Sequence, residues 1–229
     1  MELVVMSGGM DSTTLLYHVV REKASVREVK AVSFNYGQRH RKELHYATAS
    51  CRKLGVQHRI VDMAFMATLL AGSALTSDSV AVPDGHYAEE SMRATVVPNR
   101  NMIMLSVACG IAVAEGADHV WAGMHAGDHF IYPDCRPEFI EQLDYTVKIA
   151  NKGFISDHFS IQVPFIHISK AEIADWGHRL EVPWEDTWSC YKGGKYHCGV
   201  CGTCTERREA FVNAGVDDPT HYSDLTRHF

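Results

Sequence analysis

The chain has 229 residues, 46% of them hydrophobic and 22% charged, and a net charge of −6 at pH 7. That length allows one sizeable core, or one domain with an appendage, and the composition excludes a disordered chain. The acidic balance and the lack of a long Lys/Arg block argue against a nucleic-acid-binding protein, and no apolar run approaches membrane length.

Leu3-Val4-Val5-Met6 predicts a first strand. It starts so early that no leader peptide is expected before it, so a cytoplasmic protein is expected. Ser7-Gly8-Gly9-Met10-Asp11-Ser12 follows, and then an amphipathic stretch from Thr13 to Glu22. A strand, a Gly-rich turn and a helix in this order aim free N–H groups, and the positive end of the helix dipole, at one point. Such a site suits phosphate. Ser7 and Ser12 add hydroxyls, while Gly8 and Gly9 let the backbone approach an anion closely. The nucleotide-binding set predicted from this is Ser7, Gly8, Gly9, Met10, Asp11, Ser12 and Thr13. The alternative is a turn that binds nothing. The segment has no Gly-Lys-Ser/Thr and lacks the dinucleotide spacing, which excludes the two commonest phosphate loops.

Further along, Val29–Phe34 and His58–Asp62 predict strands, and Lys42–Leu54 a helix closed by Gly55. Residues 72–98 are irregular and too long for a simple connection. Asn101–Glu115 reads as an apolar helix closed by Gly116, and His119–Gly123 and Ser160–Val163 as strands. Pro137–Ala150 predicts a helix with its proline at the start, and Ser169-Lys170-Ala171-Glu172 has capping-box spacing that opens another to Leu180. The alternation predicts an α/β fold, a Rossmann-like doubly wound parallel sheet. Ser7, Tyr36 and Gly123-Met124-His125 should converge beyond the strand ends.

Cys190, Cys198, Cys201 and Cys204 form C-x₇-C-x₂-C-x₂-C. This density predicts a Cys₄ structural Zn²⁺ site, with no position left open for catalysis. A disulfide pair or an iron–sulfur cluster are the alternatives. The metal would order a C-terminal segment with little core of its own, and Arg207 and Arg208 would offset the thiolate charge. Cys51 and Cys109 read as core residues, and Cys135 as structural rather than nucleophilic.

The Ser-Gly-Gly-Met-Asp-Ser loop resembles the pyrophosphate (PP) loop of ATP pyrophosphatases, which cleave ATP between its α and β phosphates. Four more segments sharpen the resemblance: Tyr36-Gly37-Gln38-Arg39-His40, Val97-Pro98-Asn99-Arg100-Asn101, Tyr132-Pro133-Asp134-Cys135-Arg136 and Ser189-Cys190-Tyr191-Lys192-Gly193. With the cysteine cluster, and in this order, they resemble the 7-cyano-7-deazaguanine synthase family from Val4 to about Tyr222. Two departures stand out: Met124-His125-Ala126-Gly127-Asp128 where many members have Val-Cys-Glu-Thr-Asp, and Asn99 where many have Gly.

The resemblance implies an ATP-dependent ligase that converts 7-carboxy-7-deazaguanine and ammonia to 7-cyano-7-deazaguanine, a queuosine precursor, through an adenylated acid and an adenylated amide. It implies a PP-loop domain over residues 1–185, a zinc-binding segment over 186–229, and a homodimer. The chain has no room for a glutaminase domain, so free ammonia or a separate donor is implied. Asp11, Ser12 and Lys170 would be catalytic, with Asp11 ordering the turn or a Mg²⁺ ion and Lys170 contacting ATP phosphates. Tyr36, Arg39, Arg100, Asp128, Tyr132, Asp134 and Arg136 would contact substrate: arginines on carboxylate or phosphate, aspartates on the base edge, tyrosines stacked on the ring. Each has an ordinary reading too, as a surface ion pair, core tyrosine or exposed lysine. His40, His125 and His129 remain open as bases. A related adenylating enzyme that stops at the amide, or conjugates the deazaguanine to a partner, shares these motifs. A zinc module that binds RNA is the remaining alternative, opposed by the net charge.

Overall fold

The computed structural model of the protein describes residues 1–77, 79–86 and 90–224. Alternate residues of the first two strands face opposite ways, and this builds two cores. Leu3 and Val32 join one apolar cluster, while Val4 and Ala31 join the other. The strands are β1 (Glu2–Val5), β2 (Val29–Asn35), β3 (Gln57–Asp62), β4 (His119–Trp121) and β5 (Ser160–Gln162). All pair in parallel, in the order β3-β2-β1-β4-β5.

The helices are α1 (Met10–Glu22), α2 (Lys42–Leu54), α3 (Phe65–Leu69), α4 (Arg100–Glu115), α5 (Pro137–Ala150), α6 (Lys170–Arg179) and α7 (Gly202–Ala214). Leu105, Cys109 and Ala112 of α4 and Ile140, Leu143 and Val147 of α5 cover one face of the sheet. Leu15, Leu16 and Val19 of α1, Ala47 and Cys51 of α2, and Ile173 of α6 cover the other. This is the doubly wound Rossmann-like sheet that the alternation predicts. The strand order reverses at β1, so the loops after β1 and β4 flank the crevice where such folds bind ligands.

Helix ends follow local chemistry. Gly55 (φ 72°) and Gly116 (φ 67°) stop α2 and α4 in the left-handed conformation. The Ser169 capping box opens α6 as expected. Helix α1 begins three residues earlier than the amphipathic pattern suggests. Gly9 is its extended N-cap and accepts from the Thr13 N–H at 3.0 Å, so Met10, Asp11 and Ser12 form the first turn. Residues 72–98 are largely irregular apart from a 3₁₀ turn over Glu90–Thr95. Residues 78 and 87–89 of that stretch lie outside the described ones.

Helix α7 has no counterpart in the sequence reading. Its buried residues include Gly202, Thr203, Cys204, Thr205 and Arg207, which carry no apolar period. It lies against α6 through a cluster of Met10, Ala174, Trp184, Ala210 and Phe211. Trp184 fits over Gly177, where a Cβ would sit 2.2 Å from the indole. The predicted 186–229 segment is therefore described through residue 224, and it shares its apolar clusters with the body of the fold. Arg207 does not serve the thiolates as expected. It is fully buried, donates to Thr187 Oγ1 (2.7 Å) and the Trp184 carbonyl (3.0 Å), and pairs with Asp218 at 3.4 Å.

Candidate active site and metal centre

A cleft of about 240 Å³ opens beyond the strand ends at the crevice. Ser7, Gly9, Met10, Asp11 and Ser12 line it. Within the loop the Ser12 hydroxyl accepts from the N–H groups of Ser7 and Gly8, both at 3.2 Å, and lies 3.0 Å from Ser7 Oγ. The loop thus holds its donors around one oxygen atom. Gly8 (φ 88°) is required by packing: a Cβ there would lie 2.2 Å from the Glu43 carbonyl oxygen of α2. Thr13 is fully buried beneath the loop and, like Gly8, does not line the cleft.

Lys170, the first residue of α6, reaches across to this loop. Its Nζ lies 3.0 Å from Asp11, 2.9 Å from Glu206 of α7 and 3.4 Å from His125 Nε2. The carboxylate contacts are ion pairs without aligned hydrogen bonds, and Asp11 Oδ1 and Glu206 Oε2 are buried without a hydrogen-bond partner. Burial works against the Asp11 carboxylate, but Lys170 and then His125 outweigh it and hold its carboxyl below the ordinary range. Burial also works against the Lys170 ammonium, yet Asp11, Glu206 and Asp128 hold it above the usual lysine value. Glu206 goes the other way, because burial raises its carboxyl by more than Lys170 and His125 lower it. The His125 Nδ1 accepts from the Gly127 N–H at 3.1 Å, and its Nε2 faces the Asp128 and Glu206 carboxylates at 3.6 and 3.8 Å.

On another wall, Arg100 lies between two tyrosines. Its guanidinium carbon is 5.7 Å from the Tyr36 ring centroid and 5.8 Å from that of Tyr132. Burial pushes the Tyr36 phenol well above its ordinary value, so the ring stays neutral. The Tyr132 hydroxyl is tied to Thr95 Oγ1 at 2.6 Å. Tyr36, Arg100, Tyr132 and Asp128 all line the cleft. A flat, hydrogen-bonding ring with an acidic substituent matches such a slot.

Three predicted contacts are placed elsewhere. Arg39 donates to the carbonyls of Ala74 (3.4 Å) and Val80 (3.0 Å), bracing the irregular segment. Asp134 accepts from the Asn101 backbone N–H at 3.0 Å and so caps α4. Arg136 donates to the His129 carbonyl at 3.0 Å. None of the three lines the cleft. Residues that the sequence reading did not single out do line it: Glu43, Asn101, Trp188, Ser189, Tyr191 and Thr203, together with His40, which it left open. Asn101, Ser189 and Tyr191 lie in the motif segments, so position in a motif could have found them; Glu43, Trp188 and Thr203 carry no such signal, and packing alone brings them there.

The Sγ atoms of Cys190, Cys198, Cys201 and Cys204 lie within 4.8 Å of one another and can hold a metal ion. All seven cysteines are unbridged. The N–H groups of Cys198 and Cys201 point at the sulfurs of Cys190 (3.4 Å) and Cys198 (3.3 Å), an arrangement that favours thiolate. Gly199 (φ 83°) makes the knuckle, and a Cβ there would meet the Asp224 carbonyl oxygen at 2.1 Å.

A family model described as queuosine biosynthesis protein QueC matches residues 1–215. The chain belongs to the QueC family. It is 55% identical to the 7-cyano-7-deazaguanine synthase of Rhizobium rhizogenes over 97% of this chain and 92% of that one. It is 54% identical to that of Rhizobium meliloti, with the same coverage. Among solved structures, the U34-tRNA thiolase NcsA of Methanococcus maripaludis overlaps 91% of this chain and 63% of that one, with 16% identity and a TM-score of 0.49, too distant to bear on the chemistry.

Within the QueC family, the two departures have physical accounts. Asn99 sits at φ 60°, ψ 13°, the left-handed region that glycine enters freely and asparagine tolerates best among the others. In the 124–128 turn, His125 caps a 3₁₀ turn over Ala126–Phe130 and turns its Nε2 toward Lys170.

Proposed function

We propose that this chain joins ammonia to 7-carboxy-7-deazaguanine at the expense of ATP and carries the product to the nitrile, 7-cyano-7-deazaguanine. One observation carries the reading: the phosphate loop, Lys170 and the Tyr36–Arg100–Tyr132 slot all face a single cleft. Family membership and the names of the Rhizobium relatives support the same chemistry.

A carboxylate is a poor electrophile with a poor leaving group. Attack of its oxygen on the α-phosphorus gives an acyl adenylate and releases pyrophosphate. The N–H groups of Met10, Asp11 and Ser12 at the start of α1, with the Ser7 and Ser12 hydroxyls of the loop, would hold that anion, with the Lys170 ammonium beside it. Ammonia then adds to the acyl carbon, AMP leaves, and the extra proton passes to solvent. Attack of the amide oxygen on a second ATP releases a second pyrophosphate and one N–H proton; loss of the remaining N–H proton to solvent then expels AMP, which carries that oxygen, as the nitrile forms. Arg100 would hold the substrate carboxylate, Tyr36 and Tyr132 the ring, and Asp128 its donor edge. Arg39, Asp134 and Arg136 act from behind as braces of the walls.

The buried, unpartnered Asp11 Oδ1 fits a hard cation, so Asp11 would hold the Mg²⁺ that accompanies ATP and shields its phosphate charge. The four-thiol set fits Zn²⁺ in a closed tetrahedral site, where it supplies structure rather than chemistry. We treat residues 186–229 as this zinc-holding segment, packed on a PP-loop domain of residues 1–185. A cytoplasmic homodimer that takes small molecules, and not nucleic acid, completes the proposal. Among the described residues no helix is long and apolar enough to cross a membrane.

Purified protein, ATP, an ammonium salt and 7-carboxy-7-deazaguanine, with mass analysis of the products, test this. The nitrile with AMP and pyrophosphate is the expected result. A product heavier than the nitrile by one water is the amide and supports the related enzyme that stops there.

A further inference from the structure

We propose that Glu206 is a positioning residue for Lys170, through which the metal-holding segment completes the ATP site. Lys170 and Asp11 line the cleft; Glu206 does not. Yet Glu206 lies 2.9 Å from the lysine Nζ, slightly closer than Asp11 at 3.0 Å, and both side chains are largely buried. The two acids come from different parts of the chain: Asp11 from the first turn of α1, and Glu206 from the second turn of α7, two residues beyond the metal-cluster residue Cys204.

An incoming triphosphate competes with Asp11 for the same ammonium, because both are anions at the loop. Glu206 stands behind that competition and keeps the lysine charged and extended toward the loop when Asp11 is drawn to the nucleotide or its cation. A second contact ties the same segment to the same site. The Trp188 N–H donates to the Gly8 carbonyl at 2.8 Å, which fixes the phosphate loop from the side of the cysteine cluster. The carboxylate that steadies the lysine and the N–H that steadies the loop thus both belong to residues 186–224, and a metal that seats α7 also sets the lysine.

This rests on the ATP role proposed for Lys170, and the test separates the two. Glu206→Gln keeps size and hydrogen-bonding groups and removes the charge. Pyrophosphate release and ATP affinity by calorimetry are measured for Glu206→Gln, Glu206→Asp, Lys170→Ala and the double variant Lys170→Ala/Glu206→Gln, with metal content and Tm alongside. We expect Glu206→Gln to lower kcat by about tenfold or more with metal content and Tm unchanged, Glu206→Asp to recover part of the loss, and Glu206→Gln to cost less than about twofold when Lys170 is already Ala. Equal losses in both backgrounds, or a loss that tracks metal content, overturns the inference. So does a Glu206→Gln enzyme as fast as wild type while Lys170→Ala is crippled, and in that case the ATP role of Lys170 stands. A fully active Lys170→Ala enzyme overturns both.

Discussion

Strands β1 and β2 bury Leu3, Val4, Ala31 and Val32 between two layers of helix, whereas α7 buries Thr203, Cys204, Thr205 and Arg207. The first set is held by apolar area, worth about 25 cal/mol per Å² removed from water. The second set carries polar atoms that need partners, and it gets them from Asp218, Thr187 and a cluster of thiols. The sheet body can therefore order itself by patterning alone. The segment after residue 186 has fewer apolar residues to bury, and it adds a satisfied buried charge and a thiol cluster that can hold a metal ion. The proposed function draws on both, since the body supplies the Ser7–Ser12 loop and the segment supplies Trp188 and Glu206 beside it.

Metal removal should separate the two regions most strongly, because binding to a structural thiolate site amounts to about 10–16 kcal/mol in model peptides. After treatment with a chelator, hydrogen exchange should become fast in α7 while β1 and β2 stay protected. Simultaneous loss of protection in both would mean that they form one cooperative unit. Next in size is Arg207→Met, which leaves the half-buried Asp218 without its cation and the buried Thr187 and Trp184 acceptors without their donor, and should cost about 3 kcal/mol in denaturant unfolding. A near-neutral result would mean that the buried network does not hold the segment.

On the body's side, Gly8→Ala puts a Cβ against the Glu43 carbonyl at a left-handed φ, and should cost about 1–3 kcal/mol and weaken ATP binding. Unchanged stability and affinity would mean that the loop is softer than its packing on α2 suggests. The smallest effect concerns Glu2, which takes Lys23 (2.7 Å), His119 (2.9 Å) and Trp121 Nε1 (2.6 Å) under the sheet. Burial works against this carboxylate, but hydrogen bonds from Lys23 and Trp121 and the charge of His119 outweigh it and hold its carboxyl below the ordinary range. A depressed carboxyl stabilises the fold above its unfolded value, about 4.3, and that stability is lost as pH falls through the folded value. The stability gap between wild type and Glu2→Gln should therefore be present above about pH 5 and close below it. A gap that does not change with pH would mean that the charge of Glu2 contributes nothing.

The same contrast explains what could be read from sequence. Apolar period and punctuation located β1–β5, α2, α5 and the α6 cap, because these elements are built on burial of regularly spaced side chains. Helix α7 was invisible, since the inward face of its first two turns is Gly, Thr, Cys and Arg, and Ala210 and Phe211 alone give no apolar period. The phosphate loop and the four cysteines were legible because each is local. Glu206 was not, because only the docking of α7 on α6 brings it to Lys170. Arg39, Asp134 and Arg136 sit in motif segments, but their side chains turn to carbonyls and a helix end, a choice made by loop geometry that residue type does not encode.

The most direct test of the proposed chemistry follows oxygen. With both oxygens of the substrate carboxylate labelled as ¹⁸O, each activation should deliver one of them to AMP, so every nitrile formed should be matched by two AMP molecules, each carrying a single label. Label appearing in inorganic phosphate, or an amide product that keeps one label while only one AMP is made, would contradict the account.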